Sequence, residues 1–300
     1  GTIGRRLAQI LGADGYDVII LSRSPDTCCP NLPSGVRAIA WDAETPNGWS
    51  HLLDHPDTAI VNLAGESIAN WRWTESHKQR VLHSRLKTTR AIIQAIHAAE
   101  HKPNVLLQAS AVGYYGNGGE ELLTEHSPAD DEWRAKVCLE WEQAAADAGI
   151  RTVFLRIGIV LSQRGGALPA FLRAADMMGS RLGHGRQWIP WIHNDDVAHS
   201  IRYLMNHNEA EGPFNIVAPH PLRNGEFMGV VADVRGRPAL IPVPAFSLYL
   251  TLGEQALFVL DSQRASAQKL LNAGYTFHHA EAESALRDLL SHAKHWGTSA

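Results

Sequence analysis

Gly1-Thr2-Ile3-Gly4-Arg5-Arg6-Leu7 opens the chain, and Val18-Ile19-Ile20-Leu21-Ser22-Arg23-Ser24 follows after an amphipathic stretch punctuated by Gly12 and Gly15. A glycine pair, a helix and a short, wholly apolar run form the order of a βαβ dinucleotide-binding unit. There the glycines let a pyrophosphate approach the backbone at a helix N-terminus. Gly1 to Gly4 reads as the second half of a G-x-x-G-x-x-G loop whose first strand is missing. A chain without that central strand should be unstable, so residues before Gly1 are expected. In such units an acidic side chain about twenty residues past the glycines binds the ribose 2′-hydroxyl of NAD. Ser22-Arg23 stands there instead. A guanidinium pairs bidentately with a 2′-phosphate that a carboxylate would repel, so NADP(H) is expected, held by Gly1, Thr2, Ile3, Gly4, Ser22 and Arg23. The alternative is a solvated arginine at a strand end.

Beyond this unit, apolar runs alternate with helical stretches: Val36 to Ala40, Ala59 to Leu63, a helix around Thr74 to Ala99, Val105 to Ala109, a helix around Asp131 to Ala148, and Val153 to Ile159. The alternation predicts an α/β fold with a doubly wound parallel sheet. Residues 1–160 are expected to form the Rossmann dinucleotide-binding domain. Residues 161–300, with a strand near Phe214 to Val217, are expected to form a smaller substrate-side lobe with a helical C-terminal module that returns at least one strand to the main sheet. Gly179 to Pro190 reads as glycine-rich and polar.

Composition narrows the function. Of 300 residues, 45% are hydrophobic and 19% charged, and the formal net charge is −4 with no Lys/Arg cluster, which argues against a nucleic-acid partner. No apolar run approaches the ~18 residues of a membrane span. The three cysteines, Cys28, Cys29 and Cys138, do not make a disulfide framework, and a reducing cytoplasmic location is expected. Among sixteen histidines, His51/His55 and His97/His101 have i, i+4 spacing without a metal signature, so no metal site is expected.

Five further blocks converge. Val61-Asn62-Leu63-Ala64-Gly65-Glu66 is followed by Trp73-Thr74-Glu75 with Ser84-Arg85, by Ser110-Ala111-Val112-Gly113-Tyr114-Tyr115-Gly116, by Leu155-Arg156-Ile157-Gly158, and by Trp191-Ile192-His193-Asn194-Asp195-Asp196. Together they resemble the extended short-chain dehydrogenase/reductases and, more narrowly, the atypical 39U (YfcH-like) epimerase subfamily, whose C-terminal module is matched from Pro242 through Gly274. The resemblance covers essentially the whole chain.

It implies cofactor contacts at Trp41, Asp42, Leu63, Ala64, Gly65, Glu66, Arg85, Ala109, Ser110, Arg156 and Gly158, with Trp41 and Asp42 at the adenine. A buried Trp beside a turn-forming Asp is the alternative for that last pair. It also implies a substrate contact at Ser110, where ligands bind at the carboxyl edge of such sheets. The Tyr-x-x-x-Lys acid/base pair of the superfamily is absent. Trp133 stands at the tyrosine position and Val137 at the lysine position, and an indole N–H donates but does not exchange protons near neutral pH. Tyr114, Tyr115 and His193 are therefore the candidate proton donors beside Ser110, with a packing and turn role for the tyrosines and a structural role for His193 as the alternatives. Asn194 and Asp195 read as helix N-caps. Arg186 and Arg223 are candidate anchors for an anionic substrate, or are solvated.

The expected function is that of an NADP(H)-dependent oxidoreductase or epimerase acting on a small carbonyl or hydroxyl compound. A non-catalytic, redox-sensing NADP(H)-binding protein is the alternative. A serine hydrolase at Ser110 lacks its G-x-S-x-G elbow.

Overall fold

The computed structural model describes residues 1–28, 32–68, 73–163 and 165–291. Thr2–Ala13 is helix α1, with Val18–Ser22 (strand β1) and Val36–Ala40 (β2) pairing in parallel after it. The later strands are β3 (Ala59–Asn62), β4 (Val105–Ala111), β5 (Arg151–Ile157), β6 (Ile159–Ser162), β7 (Trp191–His193) and β8 (Gly212–Ile216). The later helices are α2 (Glu75–Ala98), α3 (Trp133–Ala146), α4 (Leu168–Asp176), α5 (Asn194–Asn206), α6 (Asn224–Arg235), α7 (Ala245–Leu252) and α8 (Ala282–Ser291).

Strands β8-β5-β4-β3 form one parallel sheet, so the strand expected near Phe214 does return beside β5. The β1–β2 ribbon is not hydrogen-bonded to that sheet. Helices cover both faces, which is why β4 is apolar on both. Val105 and Leu107 pack toward Leu7, Leu11, Val197 and Ile201 of α1 and α5, while Leu106 packs toward Ile92, Ile96 and Ala145 of α2 and α3. Burying each such side chain stabilises the fold by about 1.5–3 kcal/mol before entropy is counted. This is the doubly wound α/β arrangement of a Rossmann fold.

The ends of α2 show how local chemistry sets the elements. The Thr74 hydroxyl accepts the His77 N–H at its start, and Lys102 Nζ donates to the carbonyls of Ile96, His97 and Ala99 at its end. Two expectations are corrected. Thr2 to Gly4 lie in the first turn of α1 rather than in a loop. The stretch from Gly179 to Pro190 contains strands Gly179–Leu182 and Trp188–Ile189, which pair with Ile241–Val243 and Leu222–Arg223. Pairs this short and this distant in sequence carry no periodic signal. In the C-terminal lobe, Phe171, Phe227, Leu286 and Leu289 form a second core. Cys29 lies outside the described residues, and Cys138 is a buried free thiol. Among the described residues no helix is long and apolar enough to cross a membrane.

Candidate dinucleotide and substrate site

Gly1 caps α1 with no side-chain acceptor, and the first turn carries no acidic residue. The free amides of that turn are thus open to an anion. Arg23, just past β1, is exposed, and no hydrogen bond or ion pair engages it among the described residues. Ser22 Oγ accepts the Ser24 N–H. An uncapped helix start and an uncommitted guanidinium suit a phosphorylated dinucleotide.

After β2, Trp41 and Asp42, expected at the adenine, are engaged in a turn. Trp41 is buried, donates through Nε1 to the Thr45 carbonyl and packs edge-on against Trp49. Asp42 accepts from Thr45 Oγ1 and from the N–H groups of Thr45 and Glu44. These bonds, led by the Thr45 hydroxyl, hold its carboxyl below the ordinary range.

The loop after β3 is fastened to α2 residue by residue. Asn62 Nδ2 donates to Gln108 and Thr89, and its Oδ1 accepts the Ala64 N–H. The Glu66 N–H meets Ser84 Oγ, and the Glu66 carboxylate meets Arg80 Nε at 3.2 Å. Arg85 Nη1 donates to the carbonyls of Glu66 and Val81 while its guanidinium stacks on Trp141. A Cβ at Gly65 would fall 3.1 Å from Arg85 Cζ, so this glycine admits the arginine. Leu63 packs against the α1 core. Glu66 and Arg85, expected at the cofactor, therefore hold the loop that would carry it.

Beneath the expected substrate position lies a buried polar network. Ser110 donates to Glu142 Oε1 at 2.6 Å, and Arg156 binds both oxygens of Glu142 at 2.9 Å. Arg156 Nη1 also donates to Tyr115 Oη at 3.0 Å, and Tyr115 donates to Asn215 Oδ1 at 2.7 Å. Burial pushes the Tyr115 phenol up to about 12, against the opposing pull of Arg156. Three residues expected at ligands are engaged in the interior. Ser110 is 3% exposed with its hydroxyl committed, Tyr115 is 4% exposed and held as a phenol, and Arg156 is an interior ion-pair partner. Ala109 is an interior residue of β4. Gly158 also has a packing reason, since a Cβ there would come within 2.1 Å of the Pro190 carbonyl oxygen. Tyr114 is half-buried, its ring 3.5 Å from the Arg156 guanidinium carbon.

Trp133, where the family resemblance places the tyrosine, packs on Trp73 with centroids 5.2 Å apart, and Trp73 packs edge-on against Phe258 at 5.2 Å. Cations around this cluster are paired. Lys78 binds Glu75 at 3.3 Å and Glu254 at 3.1 Å, and Arg134 binds Glu132 and Asp261. Burial tends to lower the Lys78 ammonium, but the hydrogen bonds to Glu254 and Glu75 carry it above its ordinary value. Arg223, a candidate anion anchor, is spent on Glu120.

The Trp191 to Asp196 block is divided among three neighbours. Trp191 Nε1 donates to the His220 carbonyl. His193, rather than Asn194 or Asp195, caps α5, its Nδ1 accepting the Asp195 N–H at 3.1 Å. Asp195 pairs bidentately with Arg6 of α1. The fully buried Asp196 accepts from Tyr275 Oη at 2.8 Å and from the N–H groups of His278 and His279 at 2.8 and 2.9 Å. His193 itself lies against His279, 3.9 Å between ring centroids, with Asp288 Oδ2 3.3 Å from its Nε2. Burial and His279 lower it to about 4. His193, His279 and Asp288 cluster closely enough to suggest metal ligands, but an accepting Nδ1 puts the neutral ring's proton on Nε2, the atom a metal would need. Apart from the His193–Asp195 cap, these partners were not legible from sequence spacing, because they join segments far apart in the chain.

Comparison with known proteins agrees with this architecture. The model of the NAD dependent epimerase/dehydratase family matches residues 1–217, and a domain of unknown function, DUF1731, matches residues 243–289. The chain is 36% identical over 299 residues to the epimerase family protein YfhF of Bacillus subtilis, covering 98% of this chain and 96% of that protein. It is likewise 36% identical to the chloroplastic SDR39U1 homolog of Arabidopsis thaliana, covering 97% and 84%. The crystal structure of human epimerase family protein SDR39U1, solved with NADPH, superposes with a TM-score of 0.85 at 32% identity, covering 97% and 96% of the two chains. This chain belongs to the NAD dependent epimerase/dehydratase family, within its atypical, SDR39U1-like short-chain dehydrogenase/reductase branch.

Proposed function

We propose that this protein binds NADP(H) and acts as an oxidoreductase on a small carbonyl compound. The observation that carries the reading is the pairing of an uncapped α1 N-terminus with an uncommitted Arg23, the two groups a pyrophosphate and a 2′-phosphate require. The human relative solved with NADPH supports the same cofactor. When bound, NADPH supplies a hydride. The chain's own residues would hold the phosphates at the first turn of α1 and at Arg23, and shape the acceptor side with Trp133 and Tyr114. Cytoplasmic action without a nucleic-acid or membrane partner remains part of the proposal.

Titration with NADPH and NADH, followed by nicotinamide fluorescence, tests it. NADPH should bind more tightly than NADH, and Arg23→Asp should erase that preference by adding repulsion to a lost bidentate pair. Equal affinity for the two nucleotides in the unmodified chain would overturn the cofactor assignment.

A further inference from the structure

The acceptor side has two properties that together restrict its substrate. The first is that two of the hydroxyls expected at the site, Ser110 and Tyr115, are spent in the interior. Ser110 donates to Glu142, the Tyr115 hydroxyl is buried on Asn215, and Trp133 replaces the phenol of the resembled mechanism. A hydride acceptor that stabilises its own developing negative charge suits this side, where Tyr114 is the remaining phenol. The second is an aromatic surface beside which the charges of Lys78 and Arg134 are spent. Trp73 packs on both Trp133 and Phe258 and also lines a cavity of about 440 Å³ with Tyr249, Leu250 and Glu254. Lys78 and Arg134, the cations beside this cluster, are each held by two carboxylates, so a diphosphate finds no open partner in either. A neutral donor nearby is unspent among the described residues: the buried amide nitrogen of Gln255, next to Glu254 in the same turn, has no partner.

We propose that the Trp73–Trp133–Phe258 cluster and its adjoining cavity bind an uncharged, planar, conjugated dicarbonyl of the quinone class. Flat π-faces suit offset or edge-on packing against indole and phenyl rings, and a carbonyl oxygen would satisfy Gln255. The chemistry fits the missing Tyr-x-x-x-Lys pair. The quinone takes up a hydride from the dihydronicotinamide, its π-electrons shift onto the second oxygen, and water supplies one proton. The products are a hydroquinone and oxidised nicotinamide, with charge and electrons balanced. Delocalisation holds the intermediate anion without an enzymic donor. The inference rests on the NADP(H) reading for the reductant, whereas quinone binding stands apart from it.

The test uses the full chain with menadione as probe, its binding read from quenching of tryptophan fluorescence and from equilibrium dialysis without nucleotide. NADPH binding is titrated separately, and NADPH oxidation is followed at saturating menadione. Menadione should bind, and UDP-glucose should neither bind nor displace it. Trp133→Leu, which keeps an apolar side chain, should weaken menadione binding about tenfold by loss of the aromatic face. Leu250→Asp alters an exposed cavity residue, so folding is not at stake, and it should also weaken binding. Unchanged menadione affinity in both variants, or UDP-glucose binding in place of menadione, would overturn the proposal. Intact NADPH binding with no menadione binding sinks this inference alone. Menadione binding without NADPH binding sinks the cofactor reading and leaves the acceptor site standing.

Discussion

The two ends of the cleft differ in how their polar groups are spent. At the β4–β5 end, Ser110, Glu142, Arg156, Tyr115 and Asn215 satisfy one another in the interior. At the α1 end, the helix start has no side-chain cap and Arg23 has no partner among the described residues. A polar group tied to its neighbours supports the fold, while one left open contributes little to folding and is available to a ligand. The sequence blocks thus separate into groups whose polar atoms are tied together in the interior and groups whose polar atoms are left open.

The sharpest way to break this contrast is Glu142→Ala. It leaves the Arg156 guanidinium buried without its counter-charge and Ser110 without its acceptor, and should cost about 3–5 kcal/mol in urea unfolding. A loss below about 1 kcal/mol would show that the network is not saturated as described. A pH series tests a third region, the cap at His193. Its folded pKa, about 4, lies below the ordinary 6.5, so the unfolded chain binds the proton more readily. Stability is fully present above pH 6.5 and falls as the pH drops toward 4, by at most about 3 kcal/mol. His193→Gln should flatten that slope, and an unchanged slope would assign the acid sensitivity elsewhere. The smallest effect belongs to Arg23→Ala, expected to leave unfolding free energy within about 0.5 kcal/mol. A larger loss would mean that the arginine is structural.

The sheet was legible because its signals are local. Val18-Ile19-Ile20-Leu21 and the long helical stretch ending before Pro103 can each be read within a window of residues. The absence of Tyr-x-x-x-Lys was legible for the same reason, since it depends on the spacing Trp133 to Val137. The roles of Glu142 and Asp196 were not. Glu142 meets Ser110 across 32 positions, and Asp196 holds residues 79 to 83 positions away, so nothing within their own helices marks them. Ser110 and Arg156 were found as important residues but assigned to ligands. A sequence shows that a polar residue sits at a strand's carboxyl end, but not whether a buried partner already claims it. The cap of α5 was misplaced by one residue because histidine is an uncommon cap, whereas asparagine and aspartate are frequent ones.

Asp195 and Asp196 stand side by side, yet one grips the first helix of the chain and the other the segment leading to the last. The boundary between the two matched family regions is therefore not a line along which the protein can be cut and rejoined. A chimera that exchanges the C-terminal module must bring compatible partners for residue 196. Otherwise it leaves a bare carboxylate in the interior, one position away from the residue that steadies the helix meant for phosphate. The C-terminal module and the first helix are thus tied to adjacent residues of α5.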